Sequence, residues 1–168
     1  DSAEGVSSRA DLALLEDLRD SAQFVIDHAS DPLSASYVQG VNATITRSGA
    51  LHPGQLRTQE QGIGVTTPYG RHTPDALTKG QLQSLLDNAT RNTEVQENAL
   101  DLFVNLAKAQ PFEDGNKRTA IFVANSLIIG TGVLLTIPID DNDPSVARTF
   151  NTICYTFLCF SDFPNLLS

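Results

Sequence analysis

Apolar residues recur at helical spacing through residues 11–29, where Leu12, Leu15, Leu18, Ala22, Val25 and Ile26 fall on one side and predict an amphipathic helix. Asp31-Pro32 breaks the pattern, and Ser34 caps a second predicted helix reaching about residue 46. Ser48-Gly49 and Pro53-Gly54 mark a loop. The glycines and short β-type runs of residues 55–67 predict a small hairpin or flap, with a loop over residues 69–74. Helical spacing resumes over residues 78–88 through Leu82, Leu85 and Leu86. It returns over residues 93–108 through Val95, Ala99, Leu102, Phe103 and Leu106. Gln110-Pro111 ends that helix, because a residue before proline is pushed out of the helical region. Another helix is expected over residues 116–129, stopped by Gly130 and Gly132, then an extended stretch over 133–139 and a last helix over 143–160. The pattern describes one mainly α domain over residues 1–168, with a little β, no internal repeat and no linker.

Composition narrows the function class. Charged residues make up 18% and apolar residues 40% of the 168, the balance of a globular domain. Eleven Lys+Arg against 20 Asp+Glu give a formal net charge of −9, and no basic cluster offers the face that duplex nucleic acid needs, so no nucleic-acid partner is expected. The most apolar run, residues 119–139, is interrupted by Asn125, Ser126, Gly130, Thr131, Gly132 and Thr136, so no membrane partner is expected either. Cys154 and Cys159 lack the company a zinc site or a disulfide framework requires and read as buried, reduced thiols. Together with the absence of a basic-then-apolar leader pattern, they lead to an expected cytoplasmic location.

The candidate chemistry lies in 107-AKAQPFEDGNKRTA-120. A helix ends, a glycine-bearing turn follows, and a new helix opens near Asn116. Unpaired N–H groups at such an opening form an anion site. Gly115 permits close approach of a phosphate, Asp114 is suited to hold Mg²⁺, and Arg118 and Lys117 bring positive charge. The same residues also fit an ordinary helix start, where Asp and Asn are frequent. Taken alone, the spacing leaves both readings open.

This string resembles the signature of Fic domains, H-P-F-x-(D/E)-G-N-(G/K)-R-x-x-R, at Pro111, Phe112, Asp114, Gly115, Asn116 and Arg118, with Lys117 as in the Doc-like branch. The stretch 53-PGQLRTQEQGIG-64 is similar to the Fic segment that leads into a target-docking flap, and residues 118–135 are similar to the helix after the motif. The likeness covers roughly residues 33–140. It implies a helical fold that binds ATP with Mg²⁺ and moves AMP onto a hydroxyl of a protein target. By that resemblance Asp114 holds the metal, Gly115 and Asn116 cradle phosphates, Lys117 and Arg118 add cationic contacts, and Phe112 anchors the loop in the core. Gln59, Glu60, Gln61, Gly62, Ile63 and Gly64 form the flap that pairs with the target's backbone.

Two positions depart from the family pattern. Gln110 stands where the family has its catalytic His, and Ile121 stands where it has a second Arg. The His is the family's general base, and losing such a base costs about 10²–10⁴-fold in rate. An engineered change at 110 would leave Ile121 unexplained, so the pair reads as a natural variant. The resemblance thus implies a nucleotide-binding adenylyltransferase-like protein with impaired or altered activity. A non-catalytic nucleotide-binding regulatory module and a Doc-like phosphotransferase are the alternatives. Glu4-Gly5 is similar to the end of the inhibitory motif (S/T)-x-x-x-E-(G/N) of many Fic proteins, in a possible inhibitory-helix remnant, although Glu4 lacks its usual Arg partner here. Of the histidines, His28 ends a helix, while His52 and His72 flank the flap and Glu113 is expected to face solvent.

Overall fold

A computed structural model describes residues 9–49, 51–67 and 70–137. Glu4, the extended stretch beyond residue 137, the last expected helix and both cysteines lie outside them. In chain order the described elements are α1 (Arg9–Asp27), α2 (Ala35–Ala43), β1 (Val65–Thr67), β2 (Gly70–His72), α3 (Lys79–Ala89), α4 (Val95–Ala109) and α5 (Asn116–Ile128). The mainly α class with a small hairpin is the one expected from the sequence.

Capping fixes several boundaries. Ser34 opens α2 by accepting the Tyr37 N–H (3.1 Å). Thr78 opens α3 in a capping box with Gln81, each side chain taking the other's backbone N–H. At the far end of α5, residues Ile129–Thr131 tighten into a 3-10 turn that Gly132 closes in the left-handed conformation. The segment that follows is pinned at Leu135, whose N–H and C=O both bond the Asn125 side chain (2.8 Å each), but residues 133–137 form no strand.

Helices α4 and α5 make the central pair, with α1 and α2 against α5 and α3 against α4. Ala120 and Ala124, one turn apart on α5, are fully buried with Val123. They meet a core of Leu102 and Leu106 from α4, Val38 and Val41 from α2, and Leu82 and Leu86 from α3. The small alanines allow close helix approach, and the whole arrangement aims the α4–α5 turn outward while its roots stay in the core.

Two expectations are corrected. The core takes only part of the apolar stripe of α1: Val25 is buried, but Leu12, Leu15 and Ile26 are about half exposed, whereas the polar Asp17 and Ser21 are buried. The reason is polar. Asp17 and Ser21 face the turn after α2, where Ser21 meets the Thr44 hydroxyl (2.6 Å) and Asp17 meets backbone N–H groups. The hairpin is also displaced. Gln59 and Glu60 sit in a turn, Gln61 in a bend, and Gly62, Ile63 and Gly64 carry no regular structure. Pairing begins only at Val65 and takes in residues 70–72, read above as loop. A local bond pair wins at the turn, with Gln61 N–H donating to Thr58 O (3.0 Å) and Thr58 N–H to Gln61 Oε1 (2.8 Å).

Candidate nucleotide site

The turn between α4 and α5 is built by two left-handed residues. Gln110 ends α4 at φ 47° and ψ 56°, and Gly115 starts α5 at φ 73° and ψ 13°. Between them Phe112 is 1% exposed and bridges to Leu56, so the loop is rooted in the core. Gly115 is required by packing as well as by its torsion, since a Cβ there would lie 2.5 Å from Ile45 Cδ1.

Buried amides hold the turn. Asn116 accepts the Phe112 N–H at Oδ1 (2.8 Å), so its Nδ2 must be the donor to Phe112 O (2.8 Å) and Gln110 Oε1 (3.2 Å). Gln110 Nε2 then points the other way, to Ala107 O. Asn42 of α2 closes the outer side: Oδ1 takes the Gly54 N–H (2.8 Å), and Nδ2 donates to Asp114 O (3.0 Å) and Thr119 Oγ1 (3.1 Å). Arg57 is buried with its Nε on Gln110 O (2.6 Å) and Nη2 on Pro74 O (2.7 Å) and Asp75 O (3.0 Å). Burial lowers its pKa from the ordinary arginine value, against the raising influence of Asp75. The Arg57 N–H also reaches Pro111 O (3.0 Å), tying the segment before the hairpin to the loop.

Charge lies on the outer surface of the turn. The Asp114 side chain is 49% exposed, with Oδ1 accepting the Gly115 N–H (2.6 Å) and Oδ2 3.6 Å from Arg118 Nη2. The first turn of α5 carries Lys117 and Arg118 and no acid. Cations at a helix N-terminus oppose the helix dipole, a cost an incoming anion removes. Among the described residues no three His, Cys, Asp or Glu gather into a metal cluster. Mg²⁺ does not need one, because it binds through one or two carboxylates and completes its shell with water and phosphate oxygens. The half-exposed Asp114 beside the start of α5 fits that donor set.

Asp114 and Arg118 are therefore side by side at the surface, and Gly115 brings the backbone through the turn. The Asn116 side chain faces inward and is occupied by the loop; what it can offer a phosphate is the backbone at the helix start. Gln110 is 7% exposed and its amide is bonded on both ends within the turn. Ile121 packs against the core. Glu113 is not free in solvent, as its Oε2 meets His52 Nδ1 at 3.1 Å. That pair and Glu60 and Gln61 of the expected flap line one pocket of about 350 Å³, while Gln59 turns away to Asp75 and Ala76. His72 bonds Lys108 O through Nε2 (2.9 Å), which puts the proton on Nε2. His28 caps the end of α1, Nδ1 on Phe24 O (2.8 Å) and ring stacked on Phe24. A larger hollow of about 660 Å³ between α3 and α4 includes no residue of the 110–118 turn.

The Fic/DOC family model matches residues 32–128, more than half of the chain. The chain belongs to the Fic/DOC family. Solved Fic structures share its fold. A Fic domain containing signaling protein from Bacteroides thetaiotaomicron VPI-5482 superposes with a TM-score of 0.68 at 22% identity, over 92% of this chain and 60% of that one. BepC, a VirB-translocated effector protein of Bartonella tribocorum with bound AMPPNP, superposes with a TM-score of 0.52 at 17% identity, over 90% of this chain and 80% of that one. This Fic chain thus spans under two thirds of the length of the Bacteroides protein. No curated protein sequence matches it. Among the described residues of this Fic protein, no helix is long and apolar enough to cross a membrane.

Proposed function

We propose that this Fic protein binds ATP with Mg²⁺ at the start of α5 and carries out AMP transfer to a protein hydroxyl slowly, if at all. The observation that carries the reading is the turn itself: a half-exposed Asp114 stands beside a partly buried Arg118 on a backbone pinned by Asn42, Asn116 and Phe112. A pinned turn meets a ligand without paying for its ordering on binding. Asp114 would hold the metal, which when bound neutralises charge on the phosphate chain. Arg118, with Lys117, would contact phosphate oxygens, and the N–H groups opening α5 would receive the anion. The AMPPNP bound to BepC supports a nucleotide here by kinship of fold.

AMP transfer joins a hydroxyl oxygen to the α-phosphorus, breaks the bond to the β-phosphate oxygen, releases pyrophosphate and needs a home for the hydroxyl proton. Gln110 offers none. Its carbonyl oxygen accepts from Asn116 and an amide does not take a proton near neutral pH. The Glu60–Gln61 segment, beside Glu113, would receive the protein target. The inward amide of Gln110 favours a second reading, a nucleotide-binding module without turnover, and Lys117 keeps a Doc-like phosphotransfer in view. Calorimetry with millimolar Mg-ATP tests the shared core of these readings: binding is expected, weakened by Asp114→Ala and by Arg118→Ala. No heat at millimolar nucleotide would remove all three. ATP labelled on the α- or the γ-phosphate, incubated with cell lysate, then separates AMP transfer, phosphotransfer and no transfer.

A further inference from the structure

Asp17 lies mid-way along α1, is 1% exposed and is ion-paired to Arg47 Nη1 at 3.3 Å. It also accepts backbone N–H groups of Thr46 (3.3 Å), Arg47 (3.1 Å) and Ser48 (2.8 Å), and the Ser48 hydroxyl (2.6 Å). An ionised carboxylate only accepts, so the Ser48 proton points at Asp17 and the Ser48 lone pairs are turned outward. There they receive Arg118 Nη1 at 2.5 Å. A hydroxyl that donates to a carboxylate becomes a better acceptor, so each bond strengthens the next. The second terminal nitrogen of Arg118 faces Asp114 Oδ2. Its guanidinium is thereby fixed in plane and rotation at the edge of the candidate phosphate site, by a carboxylate from a different helix.

We infer that Asp17 is a positioning residue for nucleotide binding, acting through Ser48 to set the Arg118 guanidinium in the orientation in which it meets a phosphate. This rests on the reading of the 114–118 turn as a nucleotide site. It makes α1 part of the site through Asp17, by way of Ser48.

Two measurements on the full chain test it. In the free protein, NMR exchange of the Arg118 side chain reports rotation about its Nε–Cζ bond. Ser48→Ala is expected to speed that rotation roughly tenfold, the size of a lost charge-assisted hydrogen bond. Ser48→Thr, which keeps the hydroxyl, restores the slow rate, and Asp17→Asn gives an intermediate one. Calorimetry with Mg-ATP is expected to show about threefold to thirtyfold weaker binding for Ser48→Ala. In an Arg118→Ala background the same change has no further effect, because the relay acts only through that arginine. Equal losses in both backgrounds, or unchanged Arg118 rotation in Ser48→Ala, overturn the relay and leave Ser48 a loop residue. Ser48→Ala keeps Asp17 and its backbone bonds, so the test stands even where Asp17→Asn does not fold. If the unaltered protein takes up no Mg-ATP, the nucleotide reading falls, and the rotation measurement alone decides whether Asp17 holds Arg118.

Discussion

Gln110 combines two properties that conflict at a helix end. A left-handed backbone at φ 47° costs a residue with a Cβ roughly 1–2 kcal/mol. Its amide offsets this by satisfying Ala107 O and completing the donors of Asn116. Gln110→Ala keeps the backbone strain and loses the bonds, so a loss of about 1–2 kcal/mol in chemical denaturation is expected. Gln110→Gly loses the same bonds but relaxes the backbone, so it should be the more stable of the two by about 1 kcal/mol. An equal effect of both would mean the torsion carries no strain. Gln110→His tests the chemistry at the same residue. Transfer of label from α-labelled ATP should rise, within the roughly 10²–10⁴-fold span of a general base. It should not reach the full span, because Ile121 packs into the core where a second Arg is absent.

At the scale of elements, the α4–α5 turn is a joint between α2 and the central helix pair. Gly115→Ala would place a Cβ 2.5 Å from Ile45 Cδ1 and keep φ at 73°, so a loss of about 2–4 kcal/mol is expected. Ile45→Val removes that methyl. In the double variant the two losses should sum to less than their separate values, read from denaturation midpoints. Strict additivity would mean that the clash is not what makes glycine necessary. Arg57 joins a second pair of elements, the approach to the hairpin and the end of α4. Arg57→Ala leaves Gln110, Pro74 and Asp75 carbonyls without their donor and should cost about 3 kcal/mol. Arg57→Lys should recover little of it, because an ammonium lacks the planar fork that reaches several carbonyls at once.

At the scale of the molecule, acid should act at the seam between α1 and the turn after α2. Burial pushes the Asp17 carboxyl up, but the Ser48 hydroxyl and the N–H groups of Ser48, Arg47 and Thr46 outweigh it and hold it below its ordinary 3.8. Hydrogen bonds from Arg47 and then Arg19 likewise hold Asp20 low. A folded-state pKa below the unfolded one means stability that is present above pH 3.8 and lost as pH falls through the folded value. Asp17→Asn should therefore reduce stability at neutral pH and flatten the acid limb below about pH 4, in denaturation followed against pH. An acid limb as steep as in the unaltered protein would assign the loss to other carboxylates.

How much of this was legible beforehand follows from which forces act locally. Capping and periodicity are local, so Ser34 and the α4 stripe of Ala99, Leu102, Phe103 and Leu106 marked their helices in the sequence, as did the 110–118 string its family. Partner choice is not local. Leu12, Leu15 and Ile26 have the right spacing for a core face, yet the neighbour of α1 presents N–H groups and the Thr44 hydroxyl, and those select Asp17 and Ser21. The hairpin moved to residues 65–72 because a side-chain bond at Thr58–Gln61 competes with strand pairing. At the site, the sequence determined which residues line the turn; only the tertiary structure decided which of them face outward. Asn116 and Gln110 turned inward because the buried backbone of the turn needs donors and acceptors that no water can supply. Arg118 gained its partner Ser48 from 70 residues away, by the packing of α1, α2 and α5.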